Sequence, residues 1–204
     1  MMAGRRSSSH AGGLAGAIAG ALLLAGCAAL REAPPPRPPA PDVPRVWTLE
    51  GRIGVQTPDR GWQAGLRWVQ QGEDFHARLS GPLGTGTAEI RMSGGTLRLR
   101  DGRGGERSGA QIDAWARETF GEPLPVEALS FWLLGLPRPD RPARIQEGGA
   151  GLPEGLSQAG WDVRFEEWTR LGGRTLPRRL SLERGGVRVR LVVHRWQEGA
   201  GASG

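Results

Sequence analysis

The chain of 204 residues holds a single cysteine, and its neighbours suggest what it is for. Cys27 ends the tetrad Leu24-Ala25-Gly26-Cys27, preceded by Arg5, Arg6 and an apolar run from about Leu14 to Leu24. Small residues ahead of the cysteine let an extended segment enter a peptidase cleft, and its thiol is a group to which a diacylglycerol can be attached. A charged start, a short apolar stretch and a small-residue cut site make a secretory signal, with an apolar part too short to span a membrane comfortably. The competing reading, a buried cysteine ending an uncleaved anchor helix, would call for a second topological signal, which is lacking. Arg5-Arg6 invites a twin-arginine export reading, but Ser7, Ser8 and Ser9 follow where that signal carries apolar residues.

Little else is arranged for making or breaking bonds. His10 lies in the segment to be removed, while His76 and His194 fall on polar positions of alternating runs, where a surface imidazole is the simpler reading than a general base. Zinc asks for His or Cys clusters at characteristic spacing, and none exists. No Gly-x-Ser-x-Gly elbow occurs, and Gly81-Pro82-Leu83-Gly84-Thr85-Gly86 matches neither phosphate-loop pattern. Glu166 and Glu167 are adjacent in a strand pattern and point to opposite faces, which opposes a shared acid–base role. An enzyme is therefore disfavoured, and no metal or dissociable cofactor is expected.

Two features exceed what a bland domain requires. The first is eight tryptophans with no tyrosine. Indoles give large apolar contact with one polar handle and suit the lining of a ligand cavity, with plain core packing as the alternative at each position. The second is Gly81-Pro82-Leu83-Gly84, which reads as a type I turn with Leu83 near its tip. A leucine there is either folded back or thrown into solvent, and turn geometry alone leans towards the first.

These residues need elements to position them. Cleavage before Cys27 leaves 178 residues (204 minus 26), of which 28–45 carry Pro34-Pro35-Pro36, Pro38-Pro39, Pro41 and Pro44. Such a segment favours extended polyproline II and makes a tether of some tens of Å. The expected organisation is signal 1–26, lipidated cysteine and tether 27–45, one domain 46–196, and a flexible Gly/Ala tail 197–204. With one cysteine the domain has no internal disulfide and depends on a packed core. All 27 cationic residues are arginine, and removing Arg5 and Arg6 lowers the formal charge from +6 to +4. Arginines such as Arg188 and Arg190 alternate with apolar residues, so they read as a solvated sheet face before a nucleic-acid patch.

From Val46 the apolar period is two. Trp47, Leu49, Gly51, Ile53 and Val55 share a face, and Leu66/Trp68, Phe75/Ala77/Leu79, Ala88/Ile90/Met92 and Leu97/Leu99 repeat it between Gly, Asp and Pro clusters. Short strands joined by tight turns make an antiparallel meander. The period then becomes helical: Ile112, Trp115, Ala116 and Phe120 with Gly121 as stop, then Leu129, Trp132, Leu133 and Leu136 after Pro125, ended by Gly135 and Pro137. Strands resume with Trp161, Val163 and Phe165, then Leu176, Leu180 and Leu182, then Val187 to Val193. A sheet with one apolar face must be covered, and the two central helices are the candidates. A curved sheet wrapped over helices commonly leaves an apolar cavity between the layers.

Leu24-Ala25-Gly26-Cys27 resembles the lipobox of bacterial lipoproteins. The later motifs together resemble the outer-membrane lipoprotein receptor family LolB. They are Gly51-Arg52-Ile53, Leu66-Arg67-Trp68, Leu79-Ser80-Gly81-Pro82-Leu83-Gly84 with Ala88-Glu89-Ile90, Leu124-Pro125-Val126, Trp132-Leu133-Leu134-Gly135-Leu136-Pro137, Gly160-Trp161 and Leu176-Pro177. The resemblance implies a half-open antiparallel β-barrel closed over by helices, whose cavity holds the acyl chains of other lipoproteins. It implies a receptor that takes cargo from a soluble periplasmic carrier of LolA type and delivers it into the inner leaflet of the outer membrane, as a monomer, with diacylglycerol and an N-acyl chain on Cys27. The family's membrane-inserting leucine falls on Leu83, which reverses the preference from turn geometry, and its cavity tryptophans fall on Trp68, Trp132 and Trp161. The rival is a lipid-anchored scaffold that acts by protein contact through a filled core.

Overall fold

The computed structural model describes residues 43–81 and 87–199; Cys27, the tether to Asp42, Leu83 and residues 200–204 lie outside the described residues. The elements are β1 (Val46–Gln56), β2 (Gly61–Gln71), β3 (Asp74–Ser80), β4 (Thr87–Ser93), β5 (Thr96–Arg100), β6 (Glu106–Ser108), α1 (Ala110–Phe120), α2 (Val126–Trp132), β7 (Ala143–Glu147), β8 (Pro153–Gln158), β9 (Trp161–Leu171), β10 (Arg174–Arg184) and β11 (Val187–Glu198). All the strands form one curved, open antiparallel sheet in the order β6-β5-β4-β3-β2-β1-β11-β10-β9-β8-β7, with both helices inserted between its two halves in sequence.

The sheet has two ends. At the near end the chain enters β1 at Val46 and leaves β11 beside it, where the Gly199 N–H donates to the Val46 carbonyl at 3.1 Å. At the far end lie the turns after β1, β5, β8 and β10, and there β3 stops at Ser80 and β4 starts at Thr87.

Alternation puts apolar side chains on the concave face in rows across the strands. One row runs Leu49–Trp68–Ala77–Ile90–Leu99 and another Trp62–Val55–Val189–Leu182–Val163–Leu156–Ile145. Only the last of these, Ile145 on the edge strand, runs past the cover and is 46% exposed. The convex face carries a charged row, Arg195–Glu50–Arg67–Arg78–Glu89–Arg100–Glu106, in which Glu50 bonds both Arg67 and Arg195 and Glu89 lies 3.5 Å from Arg78. His76 and His194 are on the convex side as well, as their polar alternation indicated.

Gly51 marks a break in this regularity. The β1–β11 register shifts between Glu50 and Gly51, and a Cβ on Gly51 would meet the Val192 carbonyl oxygen at 2.3 Å. The backbones approach too closely there for any side chain.

Both helices lie where their apolar stripes indicated, but α2 is shorter than its stripe. It stops at Trp132, and the chain then tightens through Leu134 N–H to Phe131 O (2.9 Å) and Gly135 N–H to Trp132 O (3.0 Å). Gly135 has φ +77°, and a Cβ on it would meet the Trp168 ring at 2.6 Å, so both backbone conformation and packing demand glycine. Leu133 and Leu136 therefore pack from a turn rather than a helix. The structure also adds three strands that alternation does not reveal: β6, β7 and β8. All five residues of β7 are exposed, so the strand has no apolar face to give it a period.

Candidate functional site: the apolar interior

Between the concave face and the helices lies a space lined only by apolar side chains. Ile90, Leu99 and Trp68 face it from one half of the sheet, Leu182 and Trp161 from the other, and Leu129 from α2. In this structure the free volume is about 100 Å³. Pockets that hold drug-sized ligands run to roughly 300–1,000 Å³, so the interior here is closed down on itself.

Its near end is sealed by aromatic rings. Trp47 stacks on Trp68 at 6.2 Å, Trp68 on Phe75 at 4.4 Å, and Trp196 tilts against Trp47 at 5.3 Å. All four are buried. The Trp68 indole N–H donates to Gln70 Oε1 at 2.8 Å, whose amide donates to the Gly72 carbonyl at 2.9 Å, so the one polar atom of this ring is satisfied away from the interior.

The far end is rimmed differently. Trp62, Phe120 and Trp115 form a chain of rings with centroids 6.0 and 5.4 Å apart, and both indoles are half-buried. The Arg107 guanidinium lies over Trp115, 5.7 Å from its centroid, and is held by Asp101 at 2.7 Å. That hydrogen bond, with two more from the Gly105 and Arg103 backbone, holds the Asp101 carboxyl below the ordinary range.

The two helices are fastened unequally. The last turn of α2 is clamped by Gln158, which is 3% exposed and fully used. Its Oε1 accepts from the Trp132 indole (3.0 Å) and the Arg138 N–H (2.9 Å), and its Nε2 donates to the carbonyls of Arg138 (2.8 Å) and Arg141 (2.9 Å). Arg138 in turn bonds Glu127 and Asp140; burial works against its charge, but the two carboxylates outweigh this and raise its pKa. Among the described residues the loop after α1 has one ion pair, Arg184 to Glu122 at 2.8 Å, both partly exposed, beside the packing of Leu124 on the core.

Of the tryptophans singled out in the sequence, Trp68 and Trp161 line the interior and Trp132 is wholly buried with its N–H committed to Gln158. Sequence reading did not single out Gln158, Trp62 or Phe120. No local pattern pointed to the first, because Gln158 ends β8, a strand with a single large apolar residue, Leu156.

Residues 45–196 match the sequence profile of the family described as outer membrane lipoprotein LolB. The chain belongs to the LolB family. Proteins named outer-membrane lipoprotein LolB are similar to it along most of their length. That of Chromohalobacter salexigens is 32% identical over 192 residues, 86% of each chain. That of Alkalilimnicola ehrlichii is 35% identical over 185 residues, 86% of this chain and 92% of the relative. That of Halorhodospira halophila is 35% identical over 155 residues, 74% of this chain and 75% of the relative. Among solved structures, a DUF1329 family protein from Desulfovibrio piger shares the fold with a TM-score of 0.53 at 8% identity, covering 79% of this chain and 89% of its own. The LolB match takes in both helices and every strand but the last two residues of β11, so the apolar interior belongs to the family domain and not to an appended segment. Among the described residues no helix is long and apolar enough to cross a membrane.

Proposed function

We propose that the apolar interior receives the acyl chains of lipoproteins handed over by a periplasmic carrier of LolA type, and that the far end passes them to the inner leaflet of the outer membrane. Cys27, carrying diacylglycerol and an N-acyl chain, holds the receptor at that membrane. The observation that carries this reading is a sheet-and-helix interior with an exclusively apolar lining, sealed by rings at one end and rimmed by half-buried rings at the other. Trp68 and Trp161 are its lining, Trp132 fixes α2 over it, and Leu83 touches the bilayer on release.

The energetics suit a space that opens on loading. Burial of an acyl chain is worth about 0.8 kcal/mol per CH₂, or about 12 kcal/mol for a palmitoyl chain. Parting α1 from the sheet exposes the buried Ile112, Ala116 and Phe120 and the half-buried Trp115, at about 1.5–3 kcal/mol for each large side chain, and the incoming chain covers most of that surface again. Passage from carrier to receptor to bilayer needs no bond chemistry, only a more favourable site at each step. The chain acts as a monomer in this scheme.

Titration of the mature chain with a triacylated lipopeptide tests it. Saturable binding with a shift of tryptophan emission is expected; an unchanged spectrum with no lipid retained would favour a scaffold with a filled core. Leu83→Glu is expected to accept cargo normally from the carrier and to lose delivery into liposomes. Normal delivery by that variant would remove Leu83 from the scheme.

A further inference from the structure

The convex face holds a feature that the proposed acyl-chain interior does not use. At the far end, where β11, β1 and β2 run side by side, a depression of about 480 Å³ is bounded by Gly54, Gln56, Gly61, Gln63, Arg188 and Arg190. Register places Gly54 between Arg190 on β11 and Gln63 on β2, and Gln56 between Arg188 and Gly61. Among the described residues β3 pairs with β2 only from Gly65 onwards, so Gly61–Ala64 beside the depression run on past Ser80.

Two observations ask for an occupant. Gly54 sits inside a regularly paired strand, its φ is not positive, and a Cβ there would come no nearer than 3.8 Å to any neighbour. Unlike Gly51, it is required by neither a bulge nor a close backbone, and a glycine inside a strand weakens it unless something approaches the floor it leaves. The charges are also unbalanced. Arg188 pairs with Glu183 at 2.7 Å, while Arg190 and, one residue pair inwards, Arg52 have no ion-pair partner among the described residues.

We infer that this depression is a headgroup site: it takes the phosphate of an anionic glycerophospholipid at the membrane surface, with Gly54 as floor and the Arg190 and Arg188 guanidiniums and the Gln63 amide as donors. The inference rests on the proposed delivery reading, in which the far end meets the bilayer. Guanidinium pairs and amide N–H groups match phosphate oxygens. A lipid rather than an acidic protein is favoured by place, since the depression adjoins the end where β3 and β4 lead into the segment containing Leu83.

The test uses the mature chain from residue 27 with Cys27→Ala, so that no acyl anchor contributes, and vesicles of phosphatidylcholine with or without phosphatidylglycerol. Binding only to the anionic vesicles, weakened about fivefold for each of Arg188→Gln and Arg190→Gln, is expected. Arg98→Gln with Arg100→Gln, the same charge lost elsewhere on the convex face, should have a much smaller effect. Gly54→Thr should fold with an unchanged or higher Tm and still lose binding, because it fills the floor. Equal losses in the two arginine pairs, or full binding by Gly54→Thr, would overturn the site. Unchanged vesicle binding with slower transfer from the carrier would overturn it in favour of protein docking. Cargo uptake in detergent reports separately on the delivery reading: if the parent protein takes up none, that reading fails whatever the vesicles show.

Discussion

The two ends of the interior are both built from aromatic side chains and differ in how those are held. At the near end Trp47, Trp68, Phe75 and Trp196 are buried in stacked or tilted contact, across strands paired on both sides. At the far end Trp62 and Trp115 are only half-buried, and Phe120 joins them from a helix whose following loop has, among the described residues, one partly exposed ion pair. The same residue type thus makes a fixed floor in one place and a yielding rim in the other. In the proposed scheme a 100 Å³ space becomes an acyl-chain site by enlarging, and the weaker fastening at the far end is where that enlargement is expected.

The largest expected effect comes from the floor. Trp68→Ala should destabilise the protein by about 3–5 kcal/mol in urea unfolding, because a large indole is lost from a stacked, buried cluster. Trp62→Ala should cost about 1–2 kcal/mol, and equal losses would end the distinction between floor and rim. Next is the clamp: Gln158→Leu leaves the Trp132 indole and several backbone groups of the 138–141 segment without partners, for about 2–4 kcal/mol. Amide exchange in α2 should rise with it. Smallest in stability is Glu122→Gln, at about 0–1 kcal/mol, since its pair with Arg184 is solvent-accessible. Its effect should fall on rates instead: stopped-flow tryptophan emission should show faster lipopeptide entry. A rate unchanged in Glu122→Gln but raised in Gln158→Leu would move the yielding side from α1 to α2.

How much of this was legible in the sequence follows from burial. Strands with one covered face announce themselves by alternation, as in Phe75/Ala77/Leu79 or Trp161/Val163/Phe165, and their inward residues are the ones that line the interior. The strand Ala143–Glu147 has water on both faces and leaves no period to read. The stripe Leu129–Trp132–Leu133–Leu136 marked a packed surface and Gly135 as a stop, yet counted Leu133 and Leu136 with a helix that ends at Trp132. Alternation puts Trp68 and Trp161 on inward positions, but it was the family resemblance that marked them out among the eight tryptophans. The partnership of Trp132 with Gln158 spans 26 residues and depends on how α2 crosses the sheet, which no local pattern encodes. The arginines around Gly54 were visible as a polar alternation, but only register shows that they flank a glycine.

The place where the chain enters the sheet has a mechanical consequence. Val46 begins β1 at the near end, whereas the rim and the strand ends leading towards Leu83 are at the far end, and an 11-residue strand between them measures roughly 35 Å. In the proposed scheme, where Cys27 is the anchor and the far end meets the same membrane, the segment before β1 has to reach along the length of the sheet. The 18 residues from 28 to 45 reach about 56 Å if extended as polyproline II, enough to allow this. Cut to eight residues they would reach about 25 Å. Such a variant, anchored at Cys27 in a vesicle, should still take cargo from the carrier but deliver it to neighbouring vesicles rather than its own.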